Sequence, residues 1–266
     1  MRRTATNTKG SGLLVPGWWG LCAAWALALS THACDGDPAV PSVTKDAAAG
    51  DDAADARAST ATPGLFCSPG VDPADPRITE FSAASFNGNK GRWTGDPNLT
   101  FFTYSYHDPD APDSSNSDKV EGGVFTISGQ VVVPGSDPSY SGGGMHFDYC
   151  VNTTAYTGVQ FTLTGTSGGC TIYFDLQTYS QQAIHERGGC ASYCYQFPRK
   201  VVTPQSTPIT VRFSDLEGSG IPSGAAAMAS EIMGMRWQAE LAPRQDDAGQ
   251  TACTFSLSVD DVKLVN

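Results

Sequence analysis

The sequence predicts an all-β sandwich, on three observations. Its apolar residues fall in short runs that alternate with polar ones, the period of a strand with one face buried. Turn formers punctuate those runs, with 29 glycines and 17 prolines in 266 residues. Only 225–231, Ala-rich between two glycines, reads as a short helix, and little else has a 3.6-residue period.

Eight runs have strand character: 77–81, 123–133, 144–150, 158–165, 170–178, 195–203, 209–216 and 233–241. Within 144–150, Met145, Phe147 and Tyr149 point one way, and His146 and Asp148 the other. In 170–178, Ile172, Phe174 and Leu176 oppose Tyr173, Asp175 and Gln177. In 233–241, Met233, Met235, Trp237 and Ala239 oppose Arg236, Gln238 and Glu240. A ninth run, 253–265, changes phase: Phe255, Leu257 and Val259 are odd, Val262 and Leu264 even. Both sets can face inward only if a bulge separates them. Asp260 and Asp261 stand at that kink, where they either blunt the strand in solvent or offer oxygens to a hard cation such as calcium.

The chain has room for one folded domain of roughly 200 residues. Its 16 Lys plus Arg against 27 Asp plus Glu give a formal charge of −11, which repels phosphate backbones and excludes nucleic acid as a partner. Four histidines leave little material for a His-rich metal site. Arg2, Arg3 and Lys9 precede an uncharged, apolar stretch, so 1–33 reads as a secretory signal. Thr31 and Ala33 place small residues before Cys34, an arrangement similar to a bacterial lipoprotein signal, with Thr31 where Leu is usual. Lipidation of Cys34 would anchor an exported protein at the bacterial surface or in the periplasm. Secretion after Ala33 and an uncleaved anchor are the alternatives. Residues 34–64, rich in Ala, Asp, Ser, Thr and Pro, cannot offset the entropy of ordering and read as a self-repelling tether. The folded domain is 65–266.

Six further cysteines, Cys67, Cys150, Cys170, Cys190, Cys194 and Cys253, suggest disulfides in an exported chain. Fifteen connectivities are open to six cysteines; Cys170 and Cys253, each just ahead of a strand, are the pair to expect. Cys190 and Cys194 lack a second pair at zinc-ligand spacing and read as a stapled loop.

Three segments carry a family resemblance: Ala155-Tyr156-Thr157-Gly158-Val159-Gln160-Phe161, Ile209-Thr210-Val211-Arg212-Phe213-Ser214-Asp215-Leu216 and Val259-Asp260-Asp261-Val262. In that order and spacing they resemble the galactose-binding-like jelly-roll carbohydrate-binding modules, notably those similar to family 11, over 78–265. The resemblance implies a jelly roll and a structural calcium held by Asp260 and Asp261. An acidic residue usual after the first-strand Phe is Ser82 here, with Glu80 near enough to replace it.

The resemblance also places 144–150, 170–178, 195–203 and 233–241 in one sheet, so their polar sets share a face. His146, Asp148, Tyr173, Asp175, Gln177, Arg236 and Gln238 are then the candidate ligand-binding residues. Carboxylate, amide and guanidinium groups match paired sugar hydroxyls, and a ring covers the apolar face of a pyranose. An ordinary solvated sheet alternates in the same way. Trp93, Tyr104, Tyr106, Tyr193 and Tyr195 are assigned to loops, as rim or packing residues, and the Asp-rich segment 107–118 to a solvated loop.

The expected function is non-catalytic polysaccharide binding by a monomer. A glycoside hydrolase drawing on Asp148, Asp175 and Glu240 is the runner-up. Against it, neither a Glu-x-Asp-x-x-Glu strand motif nor a His-Glu-x-x-His helix is present. A structural or adhesive surface protein is the third possibility.

Overall fold

Strands that are apolar on one face must bury that face against another layer, and here two antiparallel sheets do so. The computed structural model describes residues 67, 70–135, 137–218, 229–243 and 251–266. The signal, Cys34 and the tether lie outside the described residues, as does most of the helix expected at 225–231. The strands are β1 (Arg77–Thr79), β2 (Phe86–Asn87), β3 (Lys90–Arg92), β4 (Thr100–His107), β5 (Ser115–Glu121), β6 (Val124–Val132) and β7 (Ser139–Val151). They continue with β8 (Gly158–Thr166), β9 (Thr171–Thr178), β10 (Arg199–Val201), β11 (Gln205–Arg212), β12 (Ile232–Leu241) and β13 (Ala252–Val265). One sheet runs β10-β9-β12-β7-β4-β3-β2, the other β11-β8-β13-β6-β5 with β1 also on β13. From β6 to β9 successive strands change sheet, the connectivity of a jelly roll.

The core lies between the sheets. Phe125, Ile127, Phe161, Leu163, Phe255 and Leu257 from one meet Phe101, Met145, Phe174, Leu176, Met235 and Trp237 from the other, all buried. Phe161 stacks on Phe174 at 5.0 Å and meets Trp237 edge-on at 5.4 Å across the layers. Each such ring contributes about 2–3 kcal/mol by leaving water. Disulfides join Cys67 to Cys150, Cys170 to Cys253 and Cys190 to Cys194, so the pair expected from strand position forms and the short one staples a loop.

The bulge in the last strand falls where the phase change puts it. Asp260 pairs with Thr162 and Lys263 with Gln160, so β13 carries one extra residue against β8. Asp261 takes the left-handed conformation (φ 48°), and Val259 and Val262 are both buried.

Five expectations about the strands need correction. β4 holds Tyr104 and Tyr106, assigned above to a loop, and it pairs with β7 through its length. Its outward positions are Thr100, Phe102, Tyr104 and Tyr106, while Thr103 and Ser105 fall on the inner face, so polar residues do not mark the outer one. β5 starts inside the segment read as a solvated loop; it is an all-polar edge strand but for Val120, which suits an edge and hides it from a search for apolar periodicity. Only Arg199–Val201 of 195–203 is strand, and 209–216 starts earlier, at Gln205, and ends in a 3-10 turn, Phe213–Asp215. Tyr149 is 45% exposed, not inward. His146 pairs with Gly234 but Val151 with Ile232, so β7 slips phase between them and buries Cys150 and Val151 instead.

Candidate functional site

Alternation sends every second residue of the seven-stranded sheet outward, and strand register lines those residues into rows. One row reads Phe102, His146, Gly234, Gln177 across β4, β7, β12 and β9. The next reads Tyr104, Gly144, Arg236, Asp175, Arg199, the last from β10. A third reads Tyr106, Gly142, Gln238, Tyr173. Glycine in a strand interior weakens it unless something must come close. At Gly144 a Cβ would lie 2.7 Å from Arg236 Cβ, and at Gly142 3.0 Å from Tyr106 Oη, so the large neighbours use the room.

These rows floor a cleft of about 1200 Å³. Along its β4 side the rings of Phe102, Tyr104, Tyr106 and Tyr140 follow one another at centroid spacings of 6.1, 5.9 and 6.1 Å. Opposite them Arg236 Nε donates to Asp175 Oδ2 at 2.5 Å, with its guanidinium 4.7 Å from the Phe197 ring and 5.2 Å from the Tyr106 ring. Arg199 Nη1 donates to Glu240 Oε2 at 2.8 Å and lies 4.0 Å over the Tyr173 ring. Tyr106 Oη donates to Gln238 Oε1 at 3.1 Å, and Thr100 Oγ1 to Asp148 Oδ2. The wall is the β9–β10 connection, which supplies Gln182, His185, Glu186, Arg187, Tyr195 and Phe197.

Burial sorts these groups by role. Asp175 is 0% exposed, so its carboxylate works through Arg236, which keeps a face open to the cleft. Burial pushes the Asp175 carboxyl up, against the Arg236 charge that favours its ionised form. Burial and then the Arg187 charge pull His146 down to about 4, and the phenols of Tyr104 and Tyr106 are pushed up by burial, so all three are neutral near pH 7. Cationic Lys90, Arg187, Arg199 and Arg236 face anionic Asp148, Asp175, Glu186 and Glu240, leaving the lining balanced in a chain of net charge −11.

Six of the seven candidates, His146, Asp148, Asp175, Gln177, Arg236 and Gln238, line this one cleft. Tyr173 shares the face but lies under Arg199, outside the lining. Of the aromatics assigned to loops, Tyr104, Tyr106 and Tyr195 line it; Trp93 is a core residue, edge-on to Phe147 at 5.4 Å, and Tyr193 is 88% exposed. Missed were Phe102, Tyr140 and the wall residues other than Tyr195. Phe102 and Tyr140 carry no polar signal, and the wall lies in a connection without period.

The calcium expectation falls on the other sheet. Asp260 Oδ1 accepts from the Asp261 N–H at 2.7 Å, and Asp261 Oδ2 is held by Lys263 Nζ at 3.0 Å. Burial, the first cause, pushes the Asp260 carboxyl up, and the charges of Asp261 and Glu80 add to it. Among the described residues no group of three or more His, Cys, Asp or Glu side chains is placed to hold a metal ion. A calcium shell takes six to eight oxygens, so Asp260, Asp261 and Glu80 would need backbone carbonyls and water to complete it.

Fold and site together define an antiparallel β-sandwich with an open, aromatic-sided cleft on one sheet. No family model matches the chain, and neither does any curated protein. Among solved structures it is similar to the family 11 carbohydrate-binding module from Clostridium thermocellum in complex with a β-1,3-1,4-mixed-linked tetrasaccharide: 13% identity, TM-score 0.40, 62% of this chain and 88% of that one covered. The family 11 module of a cellulosomal cellulase of the same organism is similar at 12% identity and TM-score 0.36, over 62% and 87% of the two chains. The glycoside hydrolase domain of Endo-D from Streptococcus pneumoniae is similar at 11% identity and TM-score 0.29, over 60% of this chain and 22% of that one. The first two neighbours are of the family that the three sequence motifs resemble. What the cleft holds is decided by its own side chains.

Proposed function

We propose that the protein binds a polysaccharide in this cleft without cleaving it. One observation carries the reading: a file of four rings runs beside two Arg–carboxylate pairs inside a single cleft. Rings suit the apolar faces of sugars, and the pairs offer donors and acceptors to hydroxyl edges. About 1200 Å³ exceeds the roughly 300–1,000 Å³ of small-molecule sites and suits several linked sugars. Charge balance in the lining favours an uncharged polar ligand over a polyion. Many weak contacts of this kind give affinities between millimolar and micromolar, about −4 to −8 kcal/mol.

The runner-up, hydrolysis, needs one carboxylate to attack or activate water and another to donate a proton. Asp148, Asp175 and Glu240 are each engaged already, by Thr100, Arg236 and Arg199. That supports a binder. Arg2, Arg3, Lys9 and the apolar stretch after them support export, so we also propose that the domain acts as a monomer outside the cytoplasm, held through a lipid on Cys34 or secreted.

Affinity electrophoresis against β-1,3-1,4-mixed-linked glucan, xylan, mannan and chitin derivatives tests the proposal. Retention by at least one, lost in Tyr104→Ala and Tyr106→Ala when both are assayed well below their lowered melting temperatures, is expected. No retention by any polymer overturns it, and release of reducing sugar that disappears in Asp175→Ala replaces the binder with the hydrolase.

A further inference from the structure

The connection between β9 and β10, residues 179–198, is built more firmly than a passive loop needs to be. Cys190 and Cys194 close it with a disulfide. Its base is tied back on itself: Gly189 N–H donates to Tyr179 O at 2.8 Å, Cys190 N–H to Gln182 O at 3.0 Å and Tyr195 N–H to Gln181 O at 2.7 Å. A Cβ on Gly188 would sit 1.9 Å from Gln182 O, so only glycine allows that close approach. At the stapled end, Tyr193 (φ 55°) and Tyr195 (φ 67°) both hold the left-handed conformation, which bulky side chains avoid and which persists only where the surroundings impose it.

What this holds in place is an aromatic facing water. Tyr193 is 88% exposed and Tyr195 41%. Tyr195 continues a series that starts on the cleft floor: Arg236 lies 4.7 Å from the Phe197 ring, and Phe197 meets Tyr195 edge-on at 6.2 Å. Tyr193 is two residues further, within about 7 Å of chain. The constrained backbone presents the ring to solvent, and with only two χ angles it has little rotamer freedom to lose when a flat apolar surface reaches it.

We infer that Tyr193 is a second stacking contact for the polysaccharide, placed beyond the cleft, so that a chain long enough to leave the cleft past Tyr195 is held more tightly than one that only fills it. The inference rests on the polysaccharide reading of the cleft. It adds a length dependence that the cleft alone lacks, and it gives the Cys190–Cys194 staple a purpose: to fix the ring where the chain emerges.

Four full-length proteins decide it: wild type, Tyr193→Ala, Tyr193→Phe and Tyr104→Ala, each measured against the polymers above and the corresponding tetrasaccharides. Tyr193 is 88% exposed, so its variants keep the wild-type melting temperature. Expected for Tyr193→Ala is a five- to tenfold weaker retention by the polymer that wild type binds, with tetrasaccharide affinity within about twofold of wild type, and recovery in Tyr193→Phe. Equal polymer binding in wild type and Tyr193→Ala overturns the inference and leaves the cleft intact, as shown by loss in Tyr104→Ala. Equal weakening on polymer and tetrasaccharide also overturns it, because the contact then lies inside the cleft. If wild type binds no polymer, the cleft reading falls and takes this one with it.

Discussion

His146 should make the protein acid-sensitive, by an amount that follows from its position. In the unfolded chain its imidazole takes up a proton near the ordinary value of 6.5. In the folded protein it is 7% exposed against Phe102; burial, then the Arg187 charge, lower it to about 4, and Asp148 and Gln177 only partly oppose them. Between those values the unfolded state binds a proton that the native state does not, so stability falls as pH falls. The contribution is whole above pH 6.5 and lost as pH drops through about 4. A lowering of that size is worth about 3 kcal/mol, or about 6–12 °C in melting temperature for a domain of this size. Calorimetry of wild type and His146→Gln at pH 7.5 and 4.5 isolates it from the carboxylates that titrate in both proteins. Wild type should lose about that much more than the variant. Parallel losses, or an imidazole titrating above pH 6 by NMR, would refute the reasoning, because His146 would then be solvated and the floor of the cleft not as packed as its distances require.

Two other outcomes follow. Asp175→Ala strands the Arg236 charge and should cost about 3–5 kcal/mol, whereas the pair exchange Asp175→Leu with Arg236→Met should be near neutral in stability and still abolish binding, checked by denaturant melts and retention assays. Millimolar calcium or a chelator should leave the melting temperature within about 1 °C, since Lys263 already neutralises Asp261; a saturable calcium-dependent rise would establish the cation role of Asp260, Asp261 and Glu80.

Strands with a polar outer face were legible in the sequence, and strands without one were not. β7, β9 and β12 alternate Met, Phe, Ile and Trp with His, Asp, Gln and Arg, so their faces follow from period two, whereas their shared sheet follows only from the family resemblance. The β13 bulge was legible for the same reason, because two inward sets out of phase admit no other strand geometry. β4 escaped because its outward residues after Thr100 are aromatic, and those rings are half of the site. β5 escaped because an edge strand in solvent has no need of an apolar face. The wall of the cleft depends on backbone hydrogen bonds and a five-residue disulfide loop, which have no periodic signal, although the odd concentration of Tyr193 and Tyr195 beside Cys190 and Cys194 was there to be seen. Tyr149 shows the opposite limit: a correct strand assignment gave the wrong face once the register slipped past His146.

The central claim is that this face, and not the other sheet, receives a polysaccharide. Backbone amide mapping by NMR, during titration with the polymer retained best in electrophoresis, tests it most directly. Shifts are expected at Tyr104, Tyr106, Tyr140, Arg236 and 195–197, with β6, β8 and β13 unmoved. Shifts centred on β8 and β13, or none at saturating polymer, would contradict it.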